Sequence, residues 1–387
     1  MSDSRDLRAA TDGRPPAQKN RAAVRPHLLE IRPYVPGRPA TDVARELGVS
    51  EVVKLASNEN PYGASPRAIE TVRAMAGSLH RYPDGAAQDV RRAIATACGV
   101  TAQHVLMSNG SDEMIKMLSE TFLSQGDEIV VPAPSFSQYA FGAQVMDAHV
   151  REVPLGEDFA YGLDRFLEAV TERTKLLYLC TPNNPTGTWL THGEVAAFME
   201  RVPSHVIVVM DEAYLEYVDT PDPLDSLAFI RAGRPVISLR TFSKIHGLAG
   251  LRLGYALADP EWIGYVNQVR EPFNANAVAQ AAACAALEDR EFVRRVRDLN
   301  ATGREQYYDG LARLGVPFVR TQGNFLLARV GDGMRVFEAL LRHGVIVRAG
   351  FRGIDQYVRI SIGTEEENRR CLEALGEVLR ETRRMSG

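Results

Sequence analysis

The chain has 387 residues, 45% of them hydrophobic and 24% charged, with 31 glycines and 21 prolines. That balance excludes disorder for the bulk of the chain and leaves room for two or three domain-sized units. A formal net charge of −4 argues against a general nucleic-acid binder, and no apolar run approaches the roughly 20 residues that a membrane helix needs.

Residues 1–27 carry Arg5, Arg8, Arg14, Lys19, Arg21 and Arg25 against Asp3, Asp6 and Asp12, with Pro15-Pro16 between them. This composition predicts a flexible, solvated N-terminal extension, and it lacks the apolar segment of a secretory signal. From about residue 52, short β-rich runs alternate with helical patterns. Predicted strands are Val105–Ser108, Glu128–Val131, Lys175–Cys180, Val206–Met210 and Val236–Arg240, and helices fall at Asp112–Ser124, Gly193–Arg201 and Trp262–Val269. Near-continuous apolar strands of this kind are buried on both faces, so the pattern predicts an α/β fold with a mostly parallel sheet. Beyond it come a long charged helix, Glu291–Leu314, strands Phe325–Val330, Val345–Val347 and Tyr357–Ile362, and a last helix from Thr364. This second pattern predicts a smaller α+β domain. Cys98, Cys180, Cys284 and Cys371 form neither a CxxC nor a zinc pattern, which fits a reduced, cytoplasmic protein with no structural metal.

The common nucleotide and hydrolase motifs are absent: there is no GxxxxGK[ST], no HExxH and no Gly-x-Ser-x-Gly. Four other segments follow predicted strands. Ser108-Asn109-Gly110-Ser111-Asp112 opens a helix, and its backbone N–H groups suit a phosphate, although an ordinary N-cap has the same composition. Thr181-Pro182-Asn183-Asn184-Pro185-Thr186-Gly187 is a rigid turn at the carboxyl edge of the sheet, where α/β ligands bind. Asp211-Glu212-Ala213-Tyr214 puts a carboxylate directly after the most apolar strand; it must be paired, or serve a cationic ligand atom. Thr241-Phe242-Ser243-Lys244 offers a lysine on the sheet edge with Arg252 eight residues on. That amine is either solvated or desolvated with a lowered pKa, able then to form a Schiff base.

Taken together and in this order, the four segments resemble the fold-type-I aminotransferases that use pyridoxal 5'-phosphate. Within that family, Arg32-Pro33-Tyr34-Val35-Pro36-Gly37, Lys54-Leu55-Ala56-Ser57-Asn58-Glu59-Asn60-Pro61-Tyr62-Gly63, Arg81-Tyr82-Pro83-Asp84 and Val358-Arg359-Ile360-Ser361-Ile362-Gly363-Thr364 are similar to the histidinol-phosphate branch. The resemblance implies an extension over 1–27, an arm over 28–56 that joins the small domain, a large cofactor domain over 57–272 and a small domain over 273–387. It also implies a homodimer with shared active sites.

Roles carried over by the resemblance follow residue by residue. Lys244 would hold the cofactor covalently and later move the proton. Asp211 would keep the pyridine nitrogen protonated, and Tyr214 and Asn184 would donate to the ring hydroxyl. Gly110, Ser111, Asp112, Thr241, Ser243 and Arg252 would form the phosphate site, Phe136 would stack on the ring, and Tyr82 would reach the neighbouring subunit's phosphate. On the substrate side, Arg359 would clamp the α-carboxylate with Asn60 and Asn324 nearby. Tyr34 and Arg348 would take a distal phosphate, with Arg352 as a helper. Ile245-His246 departs from the family, which more often has a small residue followed by an aromatic. His246 reads either as a group at the cofactor rim or as a tolerated loop histidine.

The implied reaction is transfer of the amino group of L-histidinol phosphate to 2-oxoglutarate, giving imidazole acetol phosphate and glutamate, a step of histidine biosynthesis. An aromatic amino-acid aminotransferase and a decarboxylase of phosphorylated amino acids are the competing readings on the same scaffold. A cofactor-sensing transcription regulator would need an N-terminal winged helix, for which the first 30 residues are too short and too polar.

Overall fold

A computed structural model describes residues 23–31, 41, 42, 45 and 52–386. Tyr34 and residues 1–22 of the expected extension lie outside the described residues.

The chain enters through β1 (Val53–Lys54), then α1 (Pro66–Met75), α2 (Gln88–Cys98), β2 (Val105–Ser108) and α3 (Ser111–Phe122). It continues through β3 (Glu128–Ala133), α4 (Gln138–Val145), β4 (His149–Pro154), α5 (Leu163–Glu168), β5 (Thr174–Cys180), α6 (His192–Met199), β6 (Ile207–Asp211), α7 (Ser226–Arg231) and β7 (Val236–Thr241). Then come β8 (Gly254–Ala258), α8 (Pro260–Gln268), α9 (Ala277–Glu288) and α10 (Arg290–Leu314). The last part holds β9 (Phe318–Val319), β10 (Phe325–Arg329), α11 (Gly333–Arg342), β11 (Val345–Ile346), β12 (Tyr357–Ser361) and α12 (Glu365–Ser386).

β2 to β8 form one seven-stranded sheet in the order β2-β8-β7-β6-β5-β3-β4. The pairs from β7 through to β4 are parallel, while β8 runs antiparallel to both its neighbours. Every residue of β6 and β7 is buried, as in a sheet covered on both faces; β6 is apolar up to Asp211, whereas β7 also buries Ser238 and Arg240, both bonded to Glu212. One face packs Val208, Met210, Leu177 and Leu179 against α1, α2, α6, α7 and α9; the other packs Val209, Ile207 and Tyr178 against α3, α4 and α8.

A separate cluster gathers Leu55, Tyr307, Leu311, Leu326, Val345, Ile360 and Leu375. It lies around a three-stranded antiparallel sheet β12-β10-β9 and the short parallel pair β1-β11. The expected α/β and α+β parts are therefore both present. α9, which follows the expected boundary at residue 272, buries Ala279, Ala282, Ala283 and Ala286 in the cluster of the seven-stranded sheet. The N-terminal segment crosses between the two parts. Leu55 N–H donates to Ile346, Ser361 N–H donates to Leu55, and Asn58 then reaches the carboxyl edge of the large sheet.

In the seven-stranded sheet two strands carry no clear sequence signal. β4 is an edge strand of mixed exposure, with Arg151 paired to the buried Glu128. β8 returns antiparallel because a loop with no long helix, residues 242–253, connects it to β7.

Candidate active site

The carboxyl ends of β5, β6 and β7 carry the three polar segments that follow them. The ends of β6 and β7 deliver Asp211 and Thr241 themselves, and the turn after β5 delivers Asn184. These segments line a cavity of about 860 Å³ together with Ser111, Asp112, Phe136, Tyr214, Ser243, Lys244, Arg252, Arg348 and Arg359.

Lys244 is partly buried. Its Nζ lies 3.4 Å from the Ser57 carbonyl and 5.5 Å from the centre of the Tyr214 ring. Burial lowers its pKa from 10.5 to about 8, helped by the Arg359 guanidinium and opposed by Asp112 and Glu59. An amine in that range is partly neutral near pH 8 and can act as a nucleophile and as a proton carrier.

Asp211 is 4% exposed, and burial raises its carboxyl to about 6. Tyr139 Oη donates to Oδ2 at 2.5 Å and the Ala213 N–H donates to Oδ1 at 3.1 Å, both opposing that rise. Among the described residues it makes no ion pair, whereas the adjacent Glu212 accepts from Arg240, Ser226 and Ser238. Glu212 is thus the structural acid of the pair, and Asp211 is a buried carboxylate suited to a cationic ligand atom.

The start of α3 fits a phosphate. Gly110 has φ +85°, and Asp112 and Glu113 occupy the first turn. Arg252 lies against this start, with Nη2 3.4 Å from Asp112 Oδ2 and Nη1 3.4 Å from Ser243 Oγ. β8 passes so close beneath it that a Cβ on Gly254 would lie 2.7 Å from the Ser111 nitrogen and 2.8 Å from the Gly110 carbonyl carbon. Only glycine permits that approach, which brings the N–H groups of the turn, the Ser243 hydroxyl and the Arg252 cation together.

The opposite side of the cavity comes from the small sheet. Arg359 Nη1 donates to Asn184 Oδ1 at 2.5 Å and Nη2 donates to the Ala56 carbonyl at 2.6 Å. Its guanidinium also lies over Phe325 and Phe351, 5.4 and 5.5 Å from their centres. Arg348 pairs with Arg359 through backbone bonds of 3.0 and 2.7 Å. Residues directly opposite in an antiparallel pair project from the same face, and both arginines line the cavity.

Several expected site residues lie elsewhere. Asn60 is in the wall, where its Nδ2 donates to the Ile245 carbonyl at 2.7 Å. Asn324 lies behind it, donating to the Asn58 carbonyl at 3.0 Å. Both fix the segments that frame Lys244. Tyr82 is 83% exposed and stacks on Phe273 at 4.8 Å, away from the cavity. His246 is buried beside Phe242 and Glu216 and does not line the cavity; burial lowers it to about 4, so it stays neutral.

Three contributors went unread as site residues. Tyr139 holds Asp211, Asn58 donates to Tyr214 Oη at 3.0 Å, and Glu152 stands at the cavity mouth. Asn58 has φ +54°, a conformation that Asn tolerates better than most side chains.

The chain is similar to known proteins over nearly its whole length. The family described as aminotransferase class I and II matches residues 50–375. The histidinol-phosphate aminotransferase of Moorella thermoacetica is 46% identical over 355 residues, covering 91% of this chain and 92% of that one. That of Anaeromyxobacter sp. is 48% identical over 360 residues, covering 92% and 99%. The crystal structure of histidinol-phosphate aminotransferase from Sinorhizobium meliloti in complex with pyridoxal-5'-phosphate superposes with a TM-score of 0.87 at 26% identity, covering 95% and 99%. The chain belongs to the class I and II aminotransferases.

Proposed function

We propose that the chain transfers an amino group between L-histidinol phosphate and 2-oxoglutarate, using pyridoxal 5'-phosphate. The observation that carries this reading is the shared cavity. It joins Lys244, Asp211 and Arg252 at one end to two arginines, Arg348 and Arg359, at the other. An amino compound that also carries an anion matches that arrangement, and the named relatives at 46% and 48% identity support the same reading.

The bound cofactor supplies an electron-accepting ring that stabilises charge at the carbon losing its proton. The chain's own groups do the rest. Lys244 would hold the cofactor and would move the proton at the substrate carbon. Asp211 would hold the ring nitrogen, its carboxylate oriented by Tyr139 and the Ala213 N–H. Ser111, Ser243 and Arg252 would hold the phosphate, and Tyr214, steadied by Asn58, the ring hydroxyl. Arg359, fixed by Asn184 and Ala56, would orient the α-carboxylate of 2-oxoglutarate or glutamate, and Arg348 would take the phosphate of the donor, which has no carboxylate.

The exposed Tyr82–Phe273 stack, with Leu79 69% exposed close by in sequence, supports a homodimer that covers this face and shares its active sites.

Arg348→Ala tests the substrate. Charge-assisted bonds to phosphate contribute about 1.5–3 kcal/mol, so kcat/KM for histidinol phosphate falls roughly 10- to 150-fold. Activity on phenylalanine changes far less. Equal losses on both donors would favour the aromatic aminotransferase instead.

A further inference from the structure

The mouth of the cavity is bridged by one ion pair that the mechanism does not use. Glu152 lies on the edge strand β4, opposite Val131 of β3, so it belongs to the large sheet. Arg352 lies on the loop between β11 and β12 and belongs to the small one. The two groups meet side-on, Nη1 to Oε1 at 3.1 Å and Nη2 to Oε2 at 3.2 Å. Both line the cavity that contains Lys244.

Arg352 is otherwise unsupported by any described ion pair. Its side chain is 88% exposed, and it stands between Gly350 and Gly353, with φ of +75° and +80°. Two left-handed glycines give this short loop a path that other residues resist, and the guanidinium at its tip is held across the mouth by Glu152. The other two acids in the cavity wall are engaged: Asp112 faces Arg252, and Asp211 is buried with Tyr139. Glu152 is the acid at the arginine-rich end.

We propose that Glu152 sets the affinity for a phosphorylated donor by competing with its phosphate for Arg352. With no donor bound it occupies the guanidinium, and a dianionic phosphate on the donor displaces it. A guanidinium binds carboxylate and phosphate with the same two-bond geometry, and the more highly charged phosphate is the stronger partner. Glu152, 41% exposed, goes to water at little cost when it is displaced. A donor without a phosphate neither gains from Arg352 nor has to displace Glu152, so the pair lowers the affinity for phosphate and leaves the binding of other donors unchanged. This inference rests on the phosphorylated-donor reading above and names a residue that sets how tightly that donor is held.

The test is a double-mutant cycle on the cofactor-loaded enzyme with Glu152→Gln, Arg352→Gln and both together. Two quantities are read: KM and kcat for histidinol phosphate, and the Kd of inorganic phosphate by calorimetry. An exposed pair of this kind changes affinity by about two- to fivefold. Glu152→Gln therefore lowers KM and tightens inorganic phosphate by that factor, and the change appears in KM rather than kcat. Arg352→Gln weakens both, by about tenfold. In the Arg352→Gln background, Glu152→Gln has no further effect, because its influence passes through the guanidinium. The proposal is overturned if Glu152→Gln leaves phosphate binding unchanged or weakens it. It is equally overturned if its effect persists without Arg352, or if phenylalanine responds as histidinol phosphate does. Absence of turnover with histidinol phosphate in wild type would defeat the substrate reading alone, since the inorganic-phosphate arm still decides the fate of the ion pair.

Discussion

Asp211 should be a site where stability and activity oppose each other, and Asp211→Asn separates them. In the cofactor-free protein the carboxyl is moved by burial from 3.8 to about 6. At 1.36 kcal/mol per pKa unit, a rise of about two units corresponds to about 3 kcal/mol. The sign follows from the folded carboxyl titrating above the unfolded one. Below pH 4 both are protonated and there is no penalty. The penalty grows as pH rises from 3.8 towards 6, and above about 6 the folded protein carries all of it. Asparagine has the same shape and no charge, and its amide can still bond to Tyr139. Denaturant unfolding of the cofactor-free proteins between pH 4 and 8 should show Asp211→Asn more stable by about 3 kcal/mol at pH 8. That advantage should shrink to nearly nothing at pH 4. The loaded variant should show a large fall in kcat while retaining cofactor, because the amide cannot keep a ring nitrogen protonated. A stability difference that ignores pH would refute the electrostatic account of this residue. Near-normal turnover in the saturated variant would refute its catalytic part.

Borohydride should abolish the visible band of the loaded enzyme and leave a reduced adduct on the peptide that contains Lys244. An adduct on Lys116 or Lys175, which face Glu120 and Asp127, would overturn the site. Mixing inactive Tyr82→Ala and Lys244→Ala chains should restore part of the activity, since one site per hybrid dimer is intact. An active monomer by light scattering would exclude shared sites.

How much of this was legible depended on distance along the chain. Asp211, Thr241 and Lys244 could be read because polar groups at the ends of buried, largely apolar strands have few harmless explanations. β6 was legible for the same reason, since burial on both faces leaves a near-continuous apolar run, and β7 kept enough of that pattern around Ser238 and Arg240. β4 was not, because an edge strand half in solvent mixes charges such as Arg151 and Glu152 into its pattern. The partners of the site residues were hidden too. Tyr139 reaches Asp211 across 72 residues, Asn58 reaches Tyr214 across 156, and Arg352 reaches Glu152 across 200. Spacing along a sequence carries no information about such pairs until a fold closes them. Asn60 and Asn324 illustrate the converse: the residues stand beside the site in sequence motifs, yet their amides hold backbone rather than face the cavity.

The central claim is the identity of the amino donor, and a single assay meets it. Cofactor-loaded wild type is supplied with 2-oxoglutarate and, in separate reactions, with histidinol phosphate, phenylalanine or tyrosine, and the glutamate formed is measured. The arrangement of Arg348 and Arg359 opposite Lys244 predicts the highest kcat/KM with histidinol phosphate and glutamate in equal amount to the donor consumed. A preference for phenylalanine, or release of carbon dioxide in place of glutamate, would contradict it.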